Sequence, residues 1–426
     1  MKTNAPPLKI AFLAANALHD NTSGAALSLL TMLRALARRG WDCRSLTATV
    51  FDVPPQQPEE LVQALEGWGL QIRGQIKGTH VPLWHGSGDG VSHTLMQTNS
   101  KRRLALSPMD ELLFLNLARS WMAEIKPDVV LTFGGMVLDG ALRRAAREFG
   151  ATVVFYLANP SYNNRYTFMD VDRIITNSSV TAQLYAERLK VKAENVGLYV
   201  DPGRFVAAER RPDYVTFINP VGEKGVALFL RLVMMAKERA PDMRFLVVES
   251  RGTVSAALQR LNLDPALAER IATLPRQQDM REVYKQTRVL LVPSFWFEAA
   301  GRVLIEAVAN GIPVIATDRG GIPETLAGGG MLLDVPPACV SNYWHMPTEE
   351  EADPWWQALH ALHADPEHYQ TMEERARVAG QTHDLGVKSA RLDGILREAV
   401  ARRRARSKGT APAGDAGAAG SGSTEK

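Results

Sequence analysis

The feature that most constrains the fold of this chain is the stretch 289–325, VLLVPSFWFEAAGRVLIEAVANGIPVIATDRGGIPET. An apolar run of strand length ends at Pro293-Ser294, and an acidic loop, a helix, a second strand and a glycine-rich turn follow. This order predicts one strand–helix–strand unit of a parallel sheet. Glu298 lies in the loop before the helix and Glu306 lies inside the helix, so the unit carries acidic groups at its mouth.

The interval between these two acids lets one short segment meet several polar parts of a ligand. A carboxylate accepts two parallel hydrogen bonds from a vicinal diol, and the free amides of a helix N-terminus attract phosphate. Sugar hydroxyls, a ribose and a diphosphate therefore all find complementary groups between Glu298 and Glu306. We expect the ligand site of the chain in this segment.

The run EAAGRVLIEAVANGIPVIATDRGGIPE, residues 298–324, resembles the donor-site signature of the retaining, nucleotide-sugar-dependent glycosyltransferases of the GT-B fold, the family 4-like or group 1 glycosyltransferases. The resemblance is specific because the acid pair, the intervening glycine, the strand GIPVIAT and the turn GGIPE occur together. It implies an α/β GT-B fold: two Rossmann-like domains with parallel sheets that face each other across a cleft, and a C-terminal helix that crosses back to the N-terminal domain. It also implies a metal-independent enzyme that needs no cofactor.

Composition fits a two-domain chain. With 426 residues, of which 46% are hydrophobic and 22% charged, the chain can bury two cores. A formal net charge of +3 gives little reason to expect a nucleic-acid partner. Cys43 and Cys339 are the two cysteines and lie far apart, so we expect no dependence on disulfides and a cytoplasmic location. No apolar run approaches the length of a bilayer span.

Strand and helix patterns alternate along most of the chain, and the pattern around Asp201-Pro202 is similar to the family's interdomain hinge. We therefore predict four segments: an N-terminal acceptor-side domain at 1–200, a C-terminal donor-binding domain at 201–385, a crossover helix at 386–408 and a disordered, low-complexity tail at 409–426.

Two positions of the N-terminal domain are candidates for the site. Relatives usually carry a glycine-rich loop after the first strand that faces the donor phosphates, and this chain keeps Gly24 there. The same loop lacks G-x-G-x-x-G, which disfavours NAD binding. Asn159 is the last residue of a predicted strand at 152–159. It is nearest to the position of a histidine that contacts the transferred sugar in relatives. We take Asn159 as an acceptor-side candidate.

The segment 52–110 is predicted to be variable and partly irregular. In this fold class, loops of the N-terminal domain generally bind the acceptor, so this segment could recognise the acceptor. A solvated surface insertion is an equally good interpretation. Trp84 and His85 are the residues to test.

The resemblance assigns the donor site mainly to the C-terminal domain. Lys224 follows the predicted strand at the domain's start and would stabilise the diphosphate leaving group. Asn219 stands where relatives commonly have an arginine. Either another cation, Arg302 or Arg251, compensates, or the site is weaker or altered. The predicted catalytic residues are Glu298 and Lys224, and the predicted donor-binding residues are Glu306, Gly301, Arg302, Val303, Asn219 and Gly24.

No metal ligand is predicted. Asp170-Val171-Asp172 spells the D-x-D that binds a metal in other glycosyltransferases. We interpret it as structural, because Asp172 precedes a strand and the signature belongs to the metal-independent class.

The activity implied is transfer of a sugar, with retention, from a nucleotide-diphosphate sugar to an acceptor hydroxyl. The acceptor would be a sugar, a lipid-linked compound or a small molecule. The reaction would belong to glycan or glycoconjugate biosynthesis, such as that of a polysaccharide. Closure of the two domains on donor binding is also expected. Two alternatives stay open: a catalytically silent nucleotide-sugar-binding protein, and a sugar-nucleotide epimerase that would use His19 and Asp20. The basic segment ARRRARSK, residues 401–408, would allow weak contact with an anionic membrane surface or solvate a helix end.

Overall fold

The computed structural model describes residues 6–277 and 279–409. Within these ranges the chain forms two β-sheets, one of nine strands and one of six, each covered by helices.

The first sheet and its helices come from the N-terminal part of the chain. In chain order these elements are β1 Lys9–Leu13, α1 Gly24–Arg38, β2 Asp42–Ala48, α2 Pro58–Gly67, β3 Gln71–Gln75, β4 Pro82–Gly88, β5 Val91–Met96, α3 Pro108–Ile125, β6 Val129–Thr132, α4 Val137–Glu148, β7 Thr152–Leu157, β8 Arg173–Thr176, α5 Ser179–Leu189 and β9 Glu194–Asn195.

The second sheet, its helices and the last helix follow. They are β10 Tyr214–Ile218, α6 Val226–Arg239, β11 Arg244–Val248, α7 Val254–Arg260, β12 Ile271–Leu274, α8 Arg281–Gln286, β13 Thr287–Val292, α9 Arg302–Ala309, β14 Val314–Thr317, α10 Ile322–Leu326, β15 Gly330–Leu333, α11 Pro337–Ser341, α12 Glu349–Ala364, α13 Pro366–Gln381 and α14 Leu385–Gly409.

Both sheets are built mainly from parallel strands. The first has the order β3-β4-β5-β2-β1-β6-β7-β8-β9, with β4 antiparallel to β3 and β5. The second has the order β12-β11-β10-β13-β14-β15 and is parallel throughout. Strands such as β7, TVVFYL, are buried along their whole length because helices cover both faces of a parallel sheet. In such sheets the carboxyl ends of the strands share one edge, where the loops that carry function meet.

The segment 52–110 is more regular than the sequence predicts. It supplies α2 and the strands β3 to β5, which extend the first sheet. Trp84 is only 2% exposed and its indole N–H donates to Gln97 Oε1 at 2.9 Å, so it belongs to a core cluster rather than to a ligand surface. The edge strand β3, QIRGQ, is exposed throughout and lacks the apolar alternation that would identify a strand.

The final helix α14 packs against the first sheet's domain, as the sequence predicts. Leu392, Leu396 and Val400 are buried in the same core cluster as β1 and α1. The indole N–H of Trp41 donates to Asp393 Oδ1 at 2.7 Å. The predicted tail begins at Gly409, which ends this helix, and its residues 410–426 lie outside the described ranges.

Arginines near the end of α14 bind the protein itself. Arg403 donates to both carboxylate oxygens of Asp172, at 3.3 and 3.2 Å, and Arg404 donates to Asp128 at 2.6 Å. Asp172 also accepts from the backbone N–H of Val153 at 2.9 Å, so the D-x-D acid has a structural role here. Over residues 6–277 and 279–409, no helix combines the length and the apolar character needed to cross a membrane.

Candidate functional site

One cavity of about 880 Å³ lies between the two sheets, and loops from both domains line it. All nine residues predicted for the site are among its lining residues: Gly24, Asn159, Asn219, Lys224, Glu298, Gly301, Arg302, Val303 and Glu306. The tertiary structure therefore brings together groups that the sequence places up to 282 positions apart (306 − 24). Their individual roles stay predictions.

The loop between β13 and α9 carries Glu298, and two glycine positions fix its path. Gly301 precedes α9 with φ of 89°, a left-handed conformation that favours glycine. Gly321, in the turn after β14, donates its backbone N–H to the carbonyl of Glu298 at 2.7 Å. A Cβ at Gly321 would lie 2.1 Å from the carbonyl oxygen of Ala299, so the close approach of the two loops requires glycine.

Glu298 is buried and paired with a cation. It is 6% exposed, accepts a hydrogen bond from the Lys224 ammonium and accepts another from Ser294 Oγ at 2.9 Å. Burial acts to raise the pKa of Glu298, but the Lys224 cation and the hydrogen bonds that Lys224 and Ser294 donate outweigh it, so the pKa is lowered. Glu298 is therefore an ionised carboxylate, and the three donors of the ammonium leave Lys224 able to bind a further anion.

Lys224 owes its position to a short 3-10 turn, Gly222–Lys224, after β10. The backbone N–H groups of Phe295 and Trp296 donate to the carbonyl of Glu223, at 3.0 and 3.3 Å, and tie this turn to the Glu298 loop. The ammonium also lies 5.2 Å from the centre of the Trp296 ring, within the range of a cation–π contact.

Glu306 is held from two sides. Arg302 Nε donates to Oε1 and the Tyr284 hydroxyl donates to Oε2, each at 2.6 Å. Burial, and then the negative charge of Glu306, raises the pKa of Tyr284 well above its usual value, so the phenol remains a neutral donor. Each carboxylate oxygen has a second lone pair, which a ligand diol can use. The sequence offered no signal for Tyr284, since its phenol reaches Glu306 from another helix, α8.

Arg302 has spare donor capacity. Its Nη1 is buried and has no hydrogen-bond partner among the residues that the structure describes, although Nε is bound to Glu306. An unsatisfied buried N–H costs free energy, so an anionic ligand group beside α9 would be stabilised there.

Asn219, where relatives have an arginine, adopts φ of 65° at the end of β10. Its side-chain oxygen accepts from the backbone N–H of Arg251 at 3.1 Å. Asn219 therefore positions the turn that carries Arg251, whose side chain is 49% exposed and lies 3.9 Å from Glu223. Both cations expected to compensate, Arg251 and Arg302, line the cavity.

On the opposite wall, Gly24 begins α1, and no neighbouring atom lies within 4 Å of a Cβ built at this position. The side-chain oxygen of Asn159 accepts from the N–H and the hydroxyl of Ser161. If Asn159 contacts a ligand, it therefore does so by donating a hydrogen bond from its amide nitrogen.

The segment 52–110 does reach the cavity, but through residues other than Trp84 and His85. Trp68 and His93 line it together with His19. The rings of His19 and Trp68 stack at 5.3 Å, and His93 meets His19 edge-on at 4.5 Å. Burial lowers the pKa of His19 to about 3 and that of His93 to about 4, so both imidazoles are neutral at pH 7. A tryptophan just after the glycine that ends α2 is the one sequence feature that could have indicated this wall.

Residues 205–378 match the family model of glycosyl transferases group 1. This region, less than half of the chain, is what is similar to the glycosyl transferases group 1 family. The match includes Lys224, Glu298 and Glu306.

Curated relatives carry related names. The D-inositol 3-phosphate glycosyltransferase of Mycolicibacterium smegmatis is 29% identical over 186 residues, 39% of this chain and 42% of the relative. The gpi3 subunit of phosphatidylinositol N-acetylglucosaminyltransferase from Schizosaccharomyces pombe is 28% identical over 174 residues, 38% of this chain and 37% of the relative. The matched part of the chain thus spans less than half the length of these curated relatives.

Solved structures match almost the whole chain. A glycosyltransferase from Rickettsia africae aligns with a TM-score of 0.66 and 17% identity over 93% of this chain and 99% of its own. HepE from Anabaena, solved with UDP and glucose, aligns with a TM-score of 0.62 and 14% identity over 91% of this chain and 99% of its own. At these identities the likeness shows the fold, which is GT-B with two Rossmann-like domains, as the resemblance implied.

Proposed function

We propose that this protein is a retaining glycosyltransferase that moves a sugar from a nucleotide-diphosphate sugar to an acceptor hydroxyl. The observation that carries the proposal is the arrangement of two buried carboxylate–cation pairs, Glu298 with Lys224 and Glu306 with Arg302, on one wall of an interdomain cavity. The match of residues 205–378 to the glycosyl transferases group 1 model supports it.

The donor would lie along the wall formed by the second sheet. The free lone pairs of Glu306 accept from the ribose hydroxyls, and Glu298 orients hydroxyls of the sugar. Lys224 and the amides around Gly301 to Val303 hold the diphosphate, with Arg302 Nη1 as a further donor. HepE, whose structure contains UDP and glucose, shares this fold and makes a nucleoside diphosphate a reasonable probe.

The reaction needs no nucleophile from the protein. The bond between the anomeric carbon and the leaving phosphate oxygen breaks, and the acceptor oxygen bonds to that carbon from the same face. The acceptor proton passes to the departing phosphate. Lys224 offsets the negative charge that develops on the diphosphate, and the cavity holds the partners in reacting geometry. We expect no metal or other cofactor to take part.

The acceptor would approach from the N-terminal wall that contains Gly24, Trp68 and Asn159. We propose an acceptor of the sugar, lipid-linked or small-molecule class, used in glycan or glycoconjugate biosynthesis in the cytoplasm.

A binding screen tests the donor site. Purified protein is titrated with UDP-, GDP-, ADP- and dTDP-sugars by calorimetry, and the Glu306→Ala and Tyr284→Phe variants are compared. We expect one nucleotide to bind, Glu306→Ala to weaken it by at least about tenfold because a charged hydrogen bond is worth about 1.5–3 kcal/mol, and Tyr284→Phe to retain most of the affinity. Equal binding by Glu306→Ala and wild type would exclude the ribose role of Glu306.

One alternative has specific support. Asn219 and Asn159 replace the arginine and histidine that relatives commonly carry, which is what a catalytically silent nucleotide-sugar-binding protein would show. This alternative would be favoured if the protein binds a nucleotide but neither transfers the sugar to any acceptor nor hydrolyses the donor.

The epimerase alternative has less support. Asp20 Oδ1 accepts from the N–H and hydroxyl of Thr22, and Oδ2 accepts from the N–H of Asp52, so its carboxylate stabilises loops. The pKa of His19, lowered to about 3 by burial, makes the imidazole a poor base and leaves its acidic imidazolium form unpopulated at pH 7.

A further inference from the structure

The short helix α10 touches the other domain through Glu324, the last residue of the GGIPE turn. Glu324 Oε2 accepts from the N–H of Ser179 at 2.7 Å, and Oε1 accepts from the same N–H at 3.0 Å. The side-chain amide of Asn195 also donates to Oε1, at 2.7 Å. A carboxylate of the second domain thus satisfies free N–H groups at the start of α5 in the first domain, where a helix end favours negative charge.

A second side of α10 contacts the two chain segments that connect the domains. His383 Nε2 lies 2.8 Å from the carbonyl of Thr325 and must donate to it, so Nδ1 accepts from the Lys388 ammonium at 3.2 Å. Lys388 also donates to the carbonyl of Leu198 at 3.2 Å. Leu198 belongs to the connection between the sheets, and Lys388 belongs to α14. These contacts join α10 to both interdomain crossings.

A third side of α10 meets the loop that carries Glu298. The turn Gly320-Gly321 leads directly into α10, and Gly321 N–H donates to the Glu298 carbonyl at 2.7 Å. A Cβ on Gly320 would lie 2.2 Å from that same carbonyl oxygen. The two backbones are in such close contact that a displacement of the Glu298 loop must displace α10.

We propose that Glu324 is an interdomain latch, a positioning residue that links the Glu298 loop to α5 and so sets the opening of the cleft. Movement of the Glu298 loop is transmitted through Gly320-Gly321 to Glu324, and from Glu324 to the N-terminus of α5. The latch is a property of the fold alone, while its effect on turnover rests on the proposed transferase function. Because Glu324 is exposed, salt weakens the latch.

A second interdomain hydrogen bond lies in the cavity lining. Arg276 Nη2 donates to Asn21 Oδ1 at 2.7 Å. It involves neither α5 nor α10, so loss of the latch should allow the domains to move rather than to separate.

Hydrogen exchange and small-angle scattering test the latch in the full chain, with and without UDP as the probe. The variants are Glu324→Ala, Glu324→Gln and, as matched control, Glu187→Ala. Glu187 is an exposed acid of α5 that accepts a hydrogen bond from Gln183 of the same helix. For Glu324→Ala we expect exchange at the Ser179 and Val180 amides to accelerate by about tenfold or more, and the radius of gyration without UDP to increase. Glu324→Gln should be intermediate, and Glu187→Ala should match wild type in both measurements.

The readouts separate the latch from a simple helix cap and from the proposed function. UDP affinity should change by less than about threefold, since the donor groups lie in the second domain, while kcat for sugar transfer should fall. Faster exchange at α5 with an unchanged radius of gyration would show a helix cap only and overturn the latch. Unchanged exchange would overturn it outright. If wild type transfers no sugar, the transferase proposal fails while exchange and scattering still decide the latch.

Discussion

At the scale of single residues, the site rests on buried carboxylates whose charge is matched inside the protein. Glu298 pairs with Lys224 and Glu306 pairs with Arg302, and both acids are less than a tenth exposed. A buried charge without a partner is strongly destabilising. Each pair therefore has a structural role in addition to any role towards a ligand, and experiments on the site must separate the two.

Variants of the Glu298–Lys224 pair can make this separation. Replacing Lys224 with Ala leaves Glu298 buried without its cation, so burial should raise the carboxylate pKa above its usual value. We expect the free energy of unfolding to fall by about 3 kcal/mol and kcat to fall by about 10²–10³-fold. Urea unfolding, together with the pH dependence of unfolding, and a donor-turnover assay measure these effects.

The double variant Lys224→Ala/Glu298→Ala is the control. It removes both charges, so much of the lost stability should return while activity stays low. Recovery of activity along with stability would mean that Lys224 serves only to neutralise Glu298.

At the scale of elements, two glycine-dependent turns place the ends of α9 and α10 against the Glu298 loop. Gly301 is left-handed, whereas Gly321 has an ordinary φ of −86° and is required by space alone. The sequence showed both glycines as parts of one motif. The physical reason for each became visible only when the neighbouring loop was in place.

Replacing Gly321 with Ala tests this packing. The added methyl group would meet the carbonyl of Ala299, a backbone atom that cannot rotate away, and we expect a loss of about 3 kcal/mol or more in the free energy of unfolding. Gly394→Ala in α14 is the matched control. Apart from the adjoining backbone of α14, no atom of the described residues lies within 4 Å of the added Cβ, and alanine favours a helix by about 0.5–1 kcal/mol. Equal stability of the two variants would contradict the packing argument.

At the scale of the whole molecule, stability depends on buried histidines that are neutral in the folded protein. Burial lowers the pKa values of His19 to about 3, His93 to about 4 and His383 to about 4. Between these values and about 6.5, the unfolded chain binds more protons than the folded chain, so their stabilising effect is full above pH 6.5 and is lost as pH falls towards 4. The pKa values of Asp52 and Asp139 are raised mainly by burial, so the contribution of these two groups to stability increases as pH falls.

We therefore expect the free energy of unfolding to fall by about 1 kcal/mol per histidine from pH 6.5 to 5.5. Urea unfolding at several pH values measures how steeply the free energy of unfolding depends on pH. His383→Gln should reduce this slope by the contribution of one bound proton. His363→Gln is the control, since His363 lies at the surface beside Asp242. A slope that is unchanged in His383→Gln would contradict the assignment.

Whole-chain architecture also explains the contacts of the last helix. Residues of α14 are buried in the core of the first sheet's domain, and its arginines bind Asp128 and Asp172. The chain therefore crosses between the domains twice, near Leu198 and near His383. Membrane contact by the basic end stays a prediction, as do the domain boundaries at 200 and 385.

The sequence by itself determined the order of β13, α9 and β14 and which of their neighbouring residues line one wall of the cavity. It could do so because the glutamates, the helix start and the glycine turn lie within one contiguous signature, 298–324, whose local geometry follows from residue type. The tertiary structure decided the partners. Tyr284 reaches Glu306 from another helix, and Glu324 reaches an amide 145 residues away. Trp68 reaches the cavity from the end of α2 and His93 from β5. Such contacts depend on how sheets and helices pack, which no spacing in the sequence encodes.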